Sequence, residues 1–168
     1  MMIFSVLLMM MQTLVHTSTP APAALAAEQA DAQDGKVYDE GRNGGADVDA
    51  ALARAAAAGK TVIIVMGANW CHDSRGLAKW FATPRFAAMM QPRYEIVYVD
   101  AGKPQTGDGR NQDIVKRFGG KKQKNTPYVM MVSSGGKLLN RDDARSWRNA
   151  DSRSEDAIYR YFAEFISA

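Results

Sequence analysis

The segment TVIIVMGA, residues 61–68, constrains this chain more than any other. It opens on an unbroken β-branched run, Thr61 to Val65. Such side chains are stiff at χ1 and fit a pleated surface better than a helix. The run shows no apolar/polar alternation, so both faces of the strand must be covered. A strand of this kind needs a packed layer on each side, and the chain has the material for one such unit. It has 168 residues, 46% of them hydrophobic, which is enough for one domain with a proper core and too short for two ordinary ones.

The flanking sequence supplies the layers. The stretch ADVDAALARAAAAG (46–59) predicts a helix with Val48, Leu52 and Ala55 on one face and Gly59 as its stop. A second helix should begin near Cys71, turn Leu77, Trp80 and Phe81 inward, and kink or break at Pro84. RYEIVYVD (93–100) predicts another strand, and DIVKRFGG (113–120) a short helix after a long loop. TPYVMMVSSGGKLL (126–139) reads as strand, Gly-Gly turn, strand. Ser154 and Glu155 open a last helix, with Ile158, Tyr161, Phe162, Phe165 and Ile166 as its apolar side. This order predicts an α/β domain over 46–168, a mixed sheet of four or five strands flanked by helices. Residues 27–45 are polar and Gly-rich and read as a flexible lead-in, with a short strand at Val37–Tyr38.

The first 26 residues differ in kind. Ile3 to Met11 is an apolar run too short to span a bilayer, followed by Ala-x-Ala at Ala24–Ala26 and at Ala21–Ala23. This pattern reads as a signal peptide over 1–26, and so predicts a periplasmic or secreted protein, although no Lys or Arg precedes the run. The net charge of +3 is too small to argue for nucleic acid. With one cysteine and two histidines, His16 and His72, the chain offers no intramolecular disulfide. With the leader removed, it offers no multi-Cys/His zinc site either.

That cysteine, Cys71, lies just past the strand 61–68, in ANWCHDSRG. At the start of a helix, free backbone N–H groups and the positive end of the dipole favour thiolate over thiol. His72 adds positive charge when protonated, whereas Asp73 opposes it; Asp73 and Arg75 read as surface residues. Ser74, one turn on, is placed to donate a hydrogen bond to the sulfur. The basic segment KRFGGKKQK (116–124) reads as a solvated loop, or as a positive rim near Cys71 that attracts acidic partners or the carboxylates of glutathione.

Trp70-Cys71-x-x-Ser74 at a strand-to-helix junction, followed downstream by Thr126-Pro127 entering a strand, resembles the thioredoxin-like superfamily. The resemblance runs from about Val48 to the C-terminus. It is to the bacterial periplasmic thioredoxin-like group, through Trp80 and Phe81, the P-R-F segment at 84–86, the strand ending in V-D at 99–100, and the hairpin at 126–137. It implies a cis bond before Pro127, with the Thr126-Pro127 loop facing Cys71, and Trp70 lining the site. It also marks two departures. Ser74 holds the resolving-cysteine position, and Val65 stands where the family places a buried Asp. A hydroxyl cannot form or break a disulfide, so the chain reads as a monothiol variant.

The expected function is therefore thiol–disulfide exchange through Cys71, with Ser74 and His72 beside it and Trp70, Thr126 and Pro127 binding substrate. Protein or peptide thiols and disulfides are the expected partners, and an external thiol such as glutathione, a co-substrate and not a bound cofactor, resolves the adduct. A second reading, from another class, is a non-catalytic binding or chaperone-like module that uses the groove at Pro127. A redox-sensor role for Cys71 is a further use of the same thiol.

Overall fold

The structure, a computed structural model, describes residue 31 and residues 34–165. The apolar run at Ile3–Met11 and the Ala-x-Ala sites lie outside the described residues, as does Ile166. In chain order the elements are α1 (Gly44–Ala58), β1 (Thr61–Gly67), α2 (His72–Ala82), α3 (Pro84–Met90) and β2 (Tyr94–Asp100). A small ribbon, β3 (Gly102–Lys103) and β4 (Asp108–Gly109), precedes α4 (Gln112–Arg117). Then come β5 (Tyr128–Val132), a 3-10 segment (Ala144–Ser152) and α5 (Glu155–Glu164). Among the described residues, no helix is long and apolar enough to cross a membrane.

β1 is the central strand. It runs parallel to β2, from Thr61 opposite Tyr94 to Gly67 opposite Asp100, and antiparallel to β5, from Val62 opposite Val132 to Met66 opposite Tyr128. Val62 to Ala68 are all buried, as the β-branched run requires. The period of two divides the strand between two cores. Val62, Ile64 and Met66 join Tyr128, Met130 and Val132 under α1 and α4. Ile63 and Val65 join Val129 and Met131 under α2, α3, the 3-10 segment and α5. Leu77 and Phe81 of α2 enter this second core, and Trp80 packs at its edge.

Helix limits follow local chemistry. Asn43 caps α1, its side-chain oxygen accepting from the Ala46 N–H at 3.1 Å, and Gly59 ends it at φ 65°. Pro84 breaks the helix that began at His72, as expected: α2 stops at Ala82, and α3 starts with Pro84 in its first position under a Thr83 cap. Ser154 caps α5 by accepting from the Ala157 N–H at 3.2 Å.

Two expectations change. Val37–Tyr38 form no strand. Tyr38 inserts into the second core instead, its ring against Gly67, where a Cβ would come within 2.4 Å of it. The lead-in is thus held by a buried ring at its centre. Among the described residues the sheet has three strands rather than four or five, because the second arm of the C-terminal hairpin is reduced to one bridge, Val132 to Leu138. Asn140 is the reason. Its buried amide accepts from the Met131 N–H at 2.8 Å and donates to the Val129 carbonyl at 2.9 Å. One side chain thereby occupies the edge positions that another strand would take. Residues 144–152 form a 3-10 segment. Its buried residues, Ala144, Trp147 and Ala150, recur every third position, the 3-10 period, with a kink at Asn149. Trp147 stacks on Phe162 of α5 at 5.0 Å between ring centroids.

Asn140→Ala leaves two buried backbone groups of β5 unpaired, and should cost about 1–3 kcal/mol in denaturant unfolding. A cost near zero would show that this edge is satisfied some other way.

Candidate active site

The sheet register decides where the chemistry meets. Gly67 ends β1 beside Asp100, and the start of β5 at Tyr128 lies opposite Met66. The residues just beyond these ends, Trp70-Cys71 on one side and Thr126-Pro127 on the other, therefore meet at one edge of the sheet. The Thr126-Pro127 bond is cis, as the resemblance implied.

Cys71 is the N-cap of α2 and makes no side-chain cap bond. A turn closed by the Cys71 N–H on the Ala68 carbonyl, at 3.1 Å, delivers it there. The residue is 6% exposed and lines a cavity of about 550 Å³, together with Trp70, His72, Thr126 and Arg148. Its thiol donates to the Thr126 carbonyl at 3.5 Å, a contact that spans 55 residues of sequence.

The other expected site residues take distinct places. Trp70 is 49% exposed, and its indole N–H donates to the Gly102 carbonyl at 3.1 Å. Gly102 is held in turn by the Asp100 carboxylate, which accepts its N–H at 3.1 Å and lies 3.0 Å from Arg110. Gly102 has φ 61°, and a Cβ there would strike the Asp108 carbonyl, so only glycine fits. Burial raises the pKa of Asp100 above the ordinary carboxylate value, against the pull of Arg110. His72 is exposed and its Nε2 lies 3.2 Å from Asp73. Ser74 is fully buried and its hydroxyl has no hydrogen-bond partner among the described residues. The expected bond from Ser74 to the sulfur is not formed, and the thiol donates to the Thr126 carbonyl.

Asp73 is also not the surface residue it was expected to be. It is buried, and it accepts from the Asp151 N–H at 2.9 Å, tying the first turn of α2 to the 3-10 segment. An acid in a helix's first turn is the one sequence signal that could have marked it.

Two further supports carried no sequence signal. Tyr38 and Asn69 exchange two hydrogen bonds, Tyr38 N–H to Asn69 at 3.1 Å and Asn69 to the Tyr38 carbonyl at 2.8 Å. The Tyr38 hydroxyl donates to the Ser74 carbonyl at 3.1 Å. Burial pushes this phenol well above its ordinary pKa, and Tyr98 and Cys71 add to the shift, so it stays a neutral donor. Gln123, within the lysine-rich run, is 1% exposed. Its amide donates to the Met66 carbonyl at 3.3 Å and the Asn125 carbonyl at 3.0 Å, and accepts from Gln112 at 3.2 Å. It pins the loop before Thr126 to the end of β1. Among the described residues, no group of three or more His, Cys, Asp or Glu could hold a metal ion.

Gln123→Ala removes the hydrogen bonds that tie that loop to the Met66 and Asn125 carbonyls. It should lower stability by about 1–3 kcal/mol and broaden the amide resonances of residues 121–126 in NMR spectra. A variant with wild-type stability and spectra would show that the loop does not depend on this tie.

Comparison with known proteins agrees with this geometry. A solved structure described as a disulphide isomerase from Xylella fastidiosa Temecula1 is similar, with a TM-score of 0.67 and 32% sequence identity over 76% of this chain and 94% of that one. No curated protein matches. The family model described as Thioredoxin-like matches residues 44–134, from the start of α1 through β5, and the chain belongs to that thioredoxin-like family.

Proposed function

We propose that this protein is an exported monothiol exchange protein, acting through Cys71 on protein or peptide disulfides. The observation that carries the reading is the position of Cys71: a lone thiol at the N-cap of α2, in a cavity, against the carbonyl that precedes cis-Pro127. The likeness to a structure described as a disulphide isomerase supports thiol–disulfide exchange as the chemistry. Export rests on the N-terminal apolar run and Ala-x-Ala sites.

The steps balance without a bound cofactor. The Cys71 thiolate attacks one sulfur of a substrate disulfide. The Cys71–substrate bond forms, the substrate S–S bond breaks, and the departing thiolate takes a proton from solvent. An external thiolate, glutathione or a free cysteine of the substrate itself, then attacks the substrate sulfur and displaces Cys71. With glutathione the substrate carries away a new mixed disulfide; with its own cysteine the substrate leaves isomerised. Ser74 cannot take the resolving part, so the adduct lasts until a second thiol arrives. Trp70 forms a wall of the cavity, and the Thr126-Pro127 backbone offers an edge for an extended chain.

One observation favours the second reading, a binding or chaperone-like module. Cys71 is nearly covered while Trp70, beside it, is the large hydrophobic residue left exposed among the described residues. Catalysis and binding separate cleanly. If binding alone matters, Cys71→Ala retains suppression of aggregation of an unfolded client, and Trp70→Ala loses it.

The direct test is intact mass after incubating the reduced, folded protein with glutathione disulfide or a disulfide-bonded peptide. One adduct per chain should form, be released by excess thiol, and be absent in Cys71→Ala. No adduct on the folded protein, with ready labelling once unfolded, sinks exchange at Cys71. A second experiment uses Ser74, which lies one helical turn from Cys71. Ser74→Cys should form an internal disulfide on oxidation and shorten the lifetime of the peptide adduct by about 10-fold or more, since resolution becomes intramolecular. An adduct lifetime unchanged in that variant would show that position 74 does not reach the mixed disulfide.

A further inference from the structure

The cavity at Cys71 does not end at cis-Pro127. A second cavity, of about 380 Å³, shares Asn125 and Arg148 with it as common walls. Its charged lining is Lys121, Lys124, Arg145, Arg148 and one carboxylate, Asp142. Asp142 is taken by Lys121 at 2.6 Å, which holds its carboxyl below the usual range. Lys124, Arg145 and Arg148 have no ion-pair partner among the described residues, and all three are exposed. These cations come from two separated stretches, the loop before Thr126 and the 3-10 segment. Each stretch is held in place: Gln123 anchors the loop to Met66, and Asp73 holds the Asp151 N–H of the 3-10 segment. Trp147 is buried with Ala144 and Ala150, while the exposed Arg145 and Arg148 of the same segment line the groove. The carboxylate in the wall of the Cys71 cavity is Asp73, which accepts from the Asp151 N–H and lies 3.2 Å from His72 Nε2.

We propose that this cationic extension selects substrates, favouring disulfides whose cysteine is flanked by acidic residues of the same protein segment. This rests on the exchange reading of Cys71. An extended segment bound across Thr126-Pro127 with its sulfur at Cys71 carries its neighbouring residues past Asn125 and Arg148, where carboxylates meet three unpaired cations. Charge complementarity of this kind acts mainly on the rate of encounter and is screened by salt.

The test compares two peptides, each with one cysteine activated as an aromatic mixed disulfide. One has Glu on both flanks of the cysteine and the other has Gln. Adduct formation on the full wild-type chain, followed by stopped-flow absorbance of the released aromatic thiol, should be about 10-fold faster for the Glu peptide at low salt. The ratio should fall toward one in high salt, and also in a Lys124→Gln/Arg145→Gln double variant. Both substitutions are at exposed positions, so the fold should tolerate them. Equal rates for the two peptides in the wild-type protein overturn the proposal. So does a ratio that persists in the double variant. If the pocket serves the carboxylates of glutathione instead, the two peptides react alike, and only the glutathione-disulfide rate drops in the double variant; that also overturns it. Absence of adduct with every disulfide would refute exchange at Cys71, which is a separate failure. The surface is then decided by anisotropy of labelled cysteine-free peptides: tighter binding of the Glu peptide, lost in the double variant, supports it, and equal binding overturns it.

Discussion

Hydrogen bonding of β1 to a parallel neighbour on one side and an antiparallel one on the other is the constraint on which the site depends. Parallel pairing with β2 sends both strands to the same edge, so the Cys71 turn and the Asp100–Gly102 corner emerge together. Antiparallel pairing with β5 makes that same edge the place where the chain enters from Thr126-Pro127. No side chain at the site has to travel far, because the ladder has already delivered three segments to one rim. Burial of β1 from Val62 onward then makes any slip in this register costly, since a one-residue shift would exchange the two cores.

Around the thiol, rigidity is built from polar ties rather than from packing alone. Asp100 holds Gly102, Gly102 holds Trp70, and Asn69 clamps Tyr38, which reaches the first turn of α2. Gln123 does the same work for the cis-proline loop. Ser74 is the exception. A buried hydroxyl with no partner costs about 1–3 kcal/mol relative to an apolar group. The position is shaped for a group of its size that asks less of its surroundings, and a thiol is such a group.

Much of this was legible in the sequence where one period dominated. The β-branched run, the Ala-rich helix closed by Gly59, the break at Pro84 and the cap at Ser154 all appear near their expected bounds. Cys71, Trp70, Thr126 and Pro127 converge as the thioredoxin resemblance implied. What escaped was set by single residues acting across long separations. Asn140 ends the sheet with a side chain, which no strand propensity reports. The 3-10 segment is mostly polar, and its three buried residues recur at a spacing that helix and strand templates do not test. Gln123 sits among lysines and reads as solvent-facing until the end of β1 is seen above it.

The second core gives the insertion of Tyr38 a wider meaning. The family match covers residues 44–134, yet Tyr38, Trp147, Ile158 and Phe162, all outside it, are buried in that core. One face of the sheet is therefore roofed in large part by chain that the shared pattern does not include. The matched segment supplies the strand scaffold and the Cys71 rim, and Tyr38, the 3-10 segment and α5, which flank it, complete the second core. The 3-10 segment also brings the Asp151 N–H to Asp73 and Arg148 to the cavity wall, so the chain that closes the core also shapes the approach to Cys71.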